Sequence, residues 1–179
     1  MGGAKPPDRA APTVGPVDVL VRALRERDRA RWLELWDLYL TFYDQPLDAE
    51  VTEATWRRLL AQDDGMGALV ATDGDGYVVG FAHHVVHAGT WSTRPVCYLE
   101  DLVVDPAFRG RGYGHALIEA IGSRAGELGC KGLYWHTDAD NTTARRLYDD
   151  VATLSSYVRY DVELPQTDAG TDTEREGRG

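Results

Sequence analysis

The sequence predicts one α/β domain built on a mixed sheet that is antiparallel in its early strands. Two stretches with apolar residues at helical spacing come first, three strand-like runs follow, and helical and strand patterns then alternate to the end. Asp73-Gly74-Asp75-Gly76 separates two of the strand runs and is a strong hairpin signal. Gly110, Gly112 and Gly114 end an apolar strand and open a helix, which is how chains build anion cradles.

Val17 to Arg29 alternates apolar and charged residues, and Trp32, Leu33, Trp36, Tyr39, Leu40 and Tyr43 then recur at spacings of three and four. That predicts an amphipathic helix, closed by Pro46. Thr52 precedes a second helix carrying Trp56, Leu59 and Leu60, which Gly65 stops. Strands are expected over 67–72, 77–87 and 96–104, the last ending before Pro106. After the glycines, Leu117, Ile118, Ile121, Ala125 and Leu128 share a helical face, and Gly129 ends it. A strand at 131–137, a short helix capped by Asn141 and running to Tyr148, and a last strand at 157–164 complete the order. Such an order suits an early antiparallel sheet and a crossover βαβ unit from the fourth strand to the fifth. The folded domain spans 17–164; residues 1–16 and 165–179 lack apolar anchors and are expected to be disordered tails.

Composition narrows the function. The chain has 179 residues and a net charge of −10, so it has no basic face with which to displace counterions from nucleic acid. A small cationic partner fits better, although acidity also serves solubility. Two cysteines, Cys97 and Cys130, sit among apolar neighbours and read as reduced core thiols. No segment reaches the ~18 apolar residues of a membrane span, and the first residues lack a signal-peptide core. A cytoplasmic protein that does not bind membranes is expected. His83, His84 and His87 share a strand without a third ligand of metal-site spacing, so no metal is expected.

Spacing sorts the glycine loop. A dinucleotide fingerprint would need glycine where His115 stands, and a P-loop would need Lys and a hydroxyl after Gly114. What remains is Arg-x-x-Gly-x-Gly, Arg109 to Gly114, directly after Asp105-Pro106; an ordinary strand-to-helix turn is the plainer alternative. In this loop, in the strand Tyr98-Leu-Glu-Asp-Leu-Val-Val104 and in Asn141-Thr-Thr-Ala-Arg-Arg-Leu-Tyr148, the chain resembles the GNAT superfamily of N-acetyltransferases. The likeness covers about 145 residues, and the strand is most similar to the spermidine/spermine (polyamine-type) branch.

The resemblance implies a GNAT fold, with a mixed, mostly antiparallel central sheet, helices on both faces and a splayed parallel strand pair at the cofactor site, and acetyl-coenzyme A as cofactor. Its pyrophosphate would lie against the backbone of Gly110, Arg111, Gly112, Tyr113, Gly114 and His115, with charge from Arg109 and Arg111. Its pantetheine arm would pair with the backbone of Leu102, Val103 and Val104, and Asn141 and Ala144 would border it. Asn141 is equally a helix cap. Tyr148 is implied as general acid, and Glu100 as the group that takes the amine's proton. Glu100 and Asp101 are neighbours on a strand, so one alone is expected to face the acceptor. Tyr43, Asp44, Glu100 and Asp101 are the expected acceptor-binding residues; Tyr39 and Phe42 could join them or belong to the core. The family's usual Gly-Phe after the tyrosine is replaced by 149–160, which leaves the acceptor wall undefined. The expected reaction is direct acetyl transfer in a ternary complex to a primary amine of a small cationic acceptor such as a polyamine or diamine. An amino acid, antibiotic amine or protein lysine is the alternative acceptor, and a non-catalytic acyl-coenzyme A sensor is the alternative of another class. A homodimer joined through the last strand is expected.

Overall fold

Alternating apolar residues at the start of the chain form a strand rather than the lead-in to a helix. In the computed structural model, which describes residues 19–164, β1 (Leu20–Ala23) pairs antiparallel with β2 (Met66–Thr72). Between them lie α1 (Arg29–Phe42) and α2 (Ala49–Ala61). The hairpin of β2 and β3 (Val78–Gly89) turns at the two Asp-Gly pairs, where the Asp73 carboxylate accepts the amides of Asp75 and Tyr77. β4 (Ser92–Val104) continues the antiparallel run, α3 (Tyr113–Glu127) crosses over, β5 (Leu133–Tyr134) returns parallel to β4, and α4 (Thr142–Val151) follows. Strand order in the sheet is chain order, β1-β2-β3-β4-β5. The expected tails lie outside the described residues. Among those described, no helix is long and apolar enough to cross a membrane.

The sheet separates two cores. On one face α1 and α2 bury Trp32, Leu35, Trp36, Trp56 and Leu59 against Val70, Phe81 and Val103. On the other, α3 lays Tyr113, Leu117, Ile118, Ile121 and Ala125 over Val79, Ala82, Cys97 and Leu99, with Leu147, Tyr148 and Val151 of α4 beside them. Helices therefore cover both faces, as the GNAT resemblance implies. Both cysteines are free and buried, and burial followed by the neighbouring Cys130 pushes the Cys97 thiol up to about 11, which leaves it inert.

Three expectations are corrected. The parallel crossover joins β4 to β5 through α3, one unit earlier than expected. The strand expected at 131–137 shrinks to two residues because β5 diverges from β4 after Tyr98 pairs with Tyr134. The strand expected at 157–164 does not form: the segment runs extended with Tyr157, Val158, Tyr160, Val162 and Leu164 each 74–89% exposed. Its alternation supplies strand propensity, but a strand also needs a ladder partner, and none of the described strands offers it one.

One buried ion pair anchors β1 to the start of α1. Both Arg22 terminal nitrogens donate to the Asp28 carboxylate at 2.6 and 2.9 Å, and the Arg25 amide adds a third bond at 2.9 Å. Asp28 is 5% exposed. Burial alone would raise its pKa, but the Arg22 and Arg25 bonds outweigh burial and hold the carboxyl below its ordinary value. The lowered value means that the contribution is present at neutral pH and lost as pH falls through it. Asp28→Ala should therefore cost about 3–5 kcal/mol in chemical denaturation at neutral pH, because Arg22 is left half-buried and unpaired. The gap to the parent chain should narrow in acid, as the parent loses the same interaction.

Candidate active site

The site begins with a break in the β3–β4 ladder. His83 pairs with Asp101 but His84 pairs with Leu99, so β4 carries one extra residue, Glu100. This is a bulge, and it shifts the alternation of β4 by one. Cys97 and Leu99 pack on the α3 face before it, and Leu102 and Val104 pack there after it, while Val103 joins the α1 core. Glu100 and Asp101 consequently both turn toward α1, contrary to the opposite-face expectation. Tyr39 of α1 feels both: burial first, then Asp101, Tyr43 and Glu100, push its phenol far above the ordinary value. Past the bulge β4 and β5 no longer pair, so the β5-facing backbone of β4 from Leu99 to Val104 borders an open splay.

Beyond the splay the chain enters the glycine loop. Asp105 accepts the Ala107 amide at 2.8 Å and ion-pairs with Arg31 of α1, which also donates to the Val78 carbonyl at 2.9 Å. Arg31 thus ties helix, sheet and loop together. Gly110 and Gly112 have φ of +74° and +87°, a region that costs other residues about 1–2 kcal/mol. A Cβ at either would meet nothing within 4 Å, so the space beside them is clear. Gly114 differs: its Cβ would stand 3.0 Å from Leu147 of α4, so glycine there permits the approach of the two helices. The first intrahelical bond of α3 is donated by Ala116 to Gly112, so the amides of Tyr113, Gly114 and His115 have no carbonyl four residues back within the helix. Arg109 and Arg111 are tethered to the carbonyls of Val104 and Ala107 at 3.1 and 3.2 Å. The His115 ring stands 3.4 Å from the carboxylate of Glu119. Open positive-φ glycines, first-turn amides and two arginines fit a pyrophosphate.

Tyr148 and Glu100 meet where the strands part. With Tyr39, Tyr43, Leu99, Leu102, Trp135 and His136 they line one narrow pocket. Burial, then Tyr43, pushes the Tyr148 phenol up to about 12, so it keeps its proton at neutral pH; Trp135 holds its ring edge-on at 5.3 Å. Burial and then Asp101 raise the Glu100 carboxyl, partly offset by Arg159. Next to it opens a cleft of about 430 Å³ lined by Phe42, Tyr43, Asp44, Asp138, Asp140, Asn141, Thr142 and Thr143. Tyr43 lines both, and its phenol is raised by burial, Asp138 and Asp101. Asn141 accepts the Ala144 amide at 3.2 Å and donates to Thr137 at 3.3 Å, so its cap role is realised while it borders the cleft. Asp101, expected at the acceptor, lines neither the pocket nor the cleft; its carboxylate lies 2.8 Å from His83 Nδ1.

The profile of the Acetyltransferase (GNAT) family matches residues 30–151, a span that holds the bulge, the loop and Tyr148. The chain belongs to the GNAT family.

As a GNAT enzyme it carries out acetyl-coenzyme A-dependent acetylation of an amine. It is 36% identical over 143 residues to the D-amino-acid N-acetyltransferase HPA3 of Saccharomyces cerevisiae, covering 79% of this chain and 89% of that one. It is 33% identical over 117 residues to the aminoglycoside N(6')-acetyltransferase type 1 of Stenotrophomonas maltophilia, covering 63% and 71%. Among solved structures, the ribosomal-protein-alanine N-acetyltransferase of Brucella melitensis biovar Abortus 2308 superposes with a TM-score of 0.69 at 24% identity, over 82% of this chain and 99% of that one, which shows the common fold. These likenesses do not single out the polyamine-type branch.

The GNAT site also contains residues that sequence patterns did not mark. Trp135, His136 and Asp138 follow the two-residue β5 and are brought in only because that strand diverges. Phe42 is 62% exposed and lines the cleft, which removes it from the core. His83, to which spacing along its own strand gives no role, is buried against Asp101.

Proposed function

We propose that this GNAT enzyme acetylates a primary amine of a small acceptor of the amino-acid or antibiotic-amine type, with Glu100 as base and Tyr148 as acid. The observation that carries this reading is the convergence of Glu100 and Tyr148 on one pocket at the splay. Acetyl-coenzyme A supplies a thioester whose acyl carbon is open to attack. Residues 109–115 would hold its pyrophosphate, and the backbone of Leu102, Val103 and Val104, with Asn141 and Ala144 nearby, would border its arm. Glu100, raised by burial, accepts the proton that the amine loses as the new C–N bond forms. Tyr148 donates its phenolic proton to the sulfur as the C–S bond breaks.

Relatives named for D-amino acids and aminoglycosides, taken with the acidic cleft, support this acceptor class. Asp44, Asp138 and Asp140 suit an acceptor with a second ammonium group, such as a diamino acid or an amino sugar. The test is product mass after incubation with acetyl-coenzyme A and, in turn, amino acids of both hands, aminoglycosides, polyamines and a basic peptide. Acetylated amino acid or aminoglycoside at a kcat/KM at least about tenfold above the polyamines is expected. A polyamine or peptide preference would overturn the acceptor assignment.

We further infer that two copies associate through residues 157–164. Five large apolar side chains exposed on one extended segment support this, since burying each is worth about 1.5–3 kcal/mol. Sedimentation should give a dimer for the full chain and a monomer after truncation at Ala152; a monomeric full chain would contradict it.

A further inference from the structure

Asp105 brings a negative charge to the edge of the glycine loop, and Arg31 of α1 meets it there. The cap that starts the turn before the loop needs only an acceptor: Asp105 Oδ1 accepts the Ala107 amide at 2.8 Å, a task that an uncharged asparagine performs equally well. The charge that comes with aspartate is a cost beside phosphates, because like charges repel more strongly near a protein surface than in bulk water. Arg31 donates to Asp105 Oδ2, and the two side chains are 15% and 18% exposed. Burial alone would raise the Asp105 carboxyl, but the Ala107 amide, Arg31 and then Arg109 outweigh it and hold the carboxyl below its ordinary value. Asp105 therefore lies within electrostatic reach of a loop arginine.

Arg31 is fixed in place. Its Nε donates to the Val78 carbonyl at 2.9 Å, and its guanidinium lies 4.7 Å over the Tyr77 ring. Glu34 takes a further arm at 2.7 Å but is 62% exposed, so it cancels little of the charge. The loop arginines differ. Among the described residues neither Arg109 nor Arg111 is paired with a carboxylate, although the chain carries a net charge of −10. Both are tethered to carbonyls, and Arg111 also lies 5.3 Å over the Phe108 ring. Such contacts orient a guanidinium and leave its charge uncancelled.

We propose that Arg31 is a positioning residue for the cofactor: it engages Asp105 and cancels its charge, so that Arg109 and Arg111 remain free for the pyrophosphate. This rests on the reading above that residues 109–115 hold that group. The role is indirect, since Arg31 acts through Asp105. A plain tether between α1 and the loop makes a different forecast for one double variant. Removing both charges destroys the tether but restores the charge balance.

Calorimetric titration of the full-length protein with coenzyme A, beside a denaturation curve for each variant, tests this. Arg31→Gln should weaken the Kd about tenfold at low salt, and the gap should close toward ~1 M salt, where screening acts within about 3 Å. Arg31→Gln combined with Asp105→Asn should bind within about threefold of the parent while remaining less stable than it. A double variant as weak as Arg31→Gln would mark a tether and overturn the proposal, as would an unchanged Kd in Arg31→Gln. If Arg31→Gln does not fold, Arg31→Lys carries the test. It keeps the charge and gives up the planar fork, so it should lose stability yet hold its Kd within about threefold of the parent; a Kd weakened about tenfold at low salt would overturn the proposal. Arg109→Gln with Arg111→Gln checks the reading beneath it. Loss of coenzyme A affinity there, with parent affinity in Arg31→Gln, would overturn the role of Arg31 alone. Unchanged affinity in the loop variant would place the phosphates elsewhere and overturn the loop reading together with this one.

Discussion

Tyr148→Phe should lower kcat by about 10²-fold or more, with the affinity for acetyl-coenzyme A unchanged. The phenol is held on α4 with its ring edge-on to Trp135, and Tyr148 lines the pocket shared with Glu100. Phenylalanine keeps the ring contacts and removes only the proton. With its pKa pushed up to about 12, Tyr148 is protonated through the working range, and a leaving thiolate of pKa ~8.5 is the weaker base of the two. Proton transfer from the phenol is therefore uphill by a few units, and the rate depends on how closely Tyr148 is placed to the sulfur. Loss of kcat with retained cofactor binding is the signature of a group acting on the leaving atom. Equal losses of binding and turnover would instead mark Tyr148 as a wall of the pocket.

Glu100→Gln should reduce kcat/KM by about 10²-fold or more and change the shape of its pH profile. A base works when deprotonated, and burial and Asp101 raise the Glu100 carboxyl above its ordinary value. In the parent enzyme kcat/KM should rise with pH through that raised value, giving a limb on the acid side. The glutamine variant should lose this limb and keep only the alkaline rise that belongs to the acceptor's own amine, near pH ~10 for an unperturbed alkylamine. A profile unchanged in shape would show that the limb belongs to another group.

Much of this site could be read from residue order alone, and the exceptions share a cause. The loop from Asp105 to Gly114 and the helices on either face follow local rules of spacing, capping and backbone conformation, so their positions were predictable. The bulge at Glu100 was not, because nothing in Tyr98-Leu-Glu-Asp-Leu-Val-Val announces an extra residue; it exists only relative to the pairing of β3. Strict alternation therefore separated Glu100 from Asp101, whereas the structure aims both at α1. The same pairing geometry cut the strand at 131–137 to Leu133–Tyr134 and drew Trp135 and His136 into the pocket. The segment 157–164 erred in the opposite direction. Its alternation is a sound local signal, but a strand is completed by a partner, and the described chain provides none for it. His83 was judged by metal-ligand spacing along its own strand, while its partners Trp32 and Asp101 come from α1 and β4. Local chemistry was legible; contacts between distant elements were not.

The central claim is that the splay between β4 and β5 seats the thioester between Glu100 and Tyr148. A crystal structure with coenzyme A bound tests this most directly. The sulfur should lie within about 3.5 Å of the Tyr148 hydroxyl, the arm along the backbone of Leu102 to Val104, and the pyrophosphate against the amides of residues 110–115. Coenzyme A bound with its sulfur away from Tyr148, or with its phosphates away from the glycine loop, would contradict it.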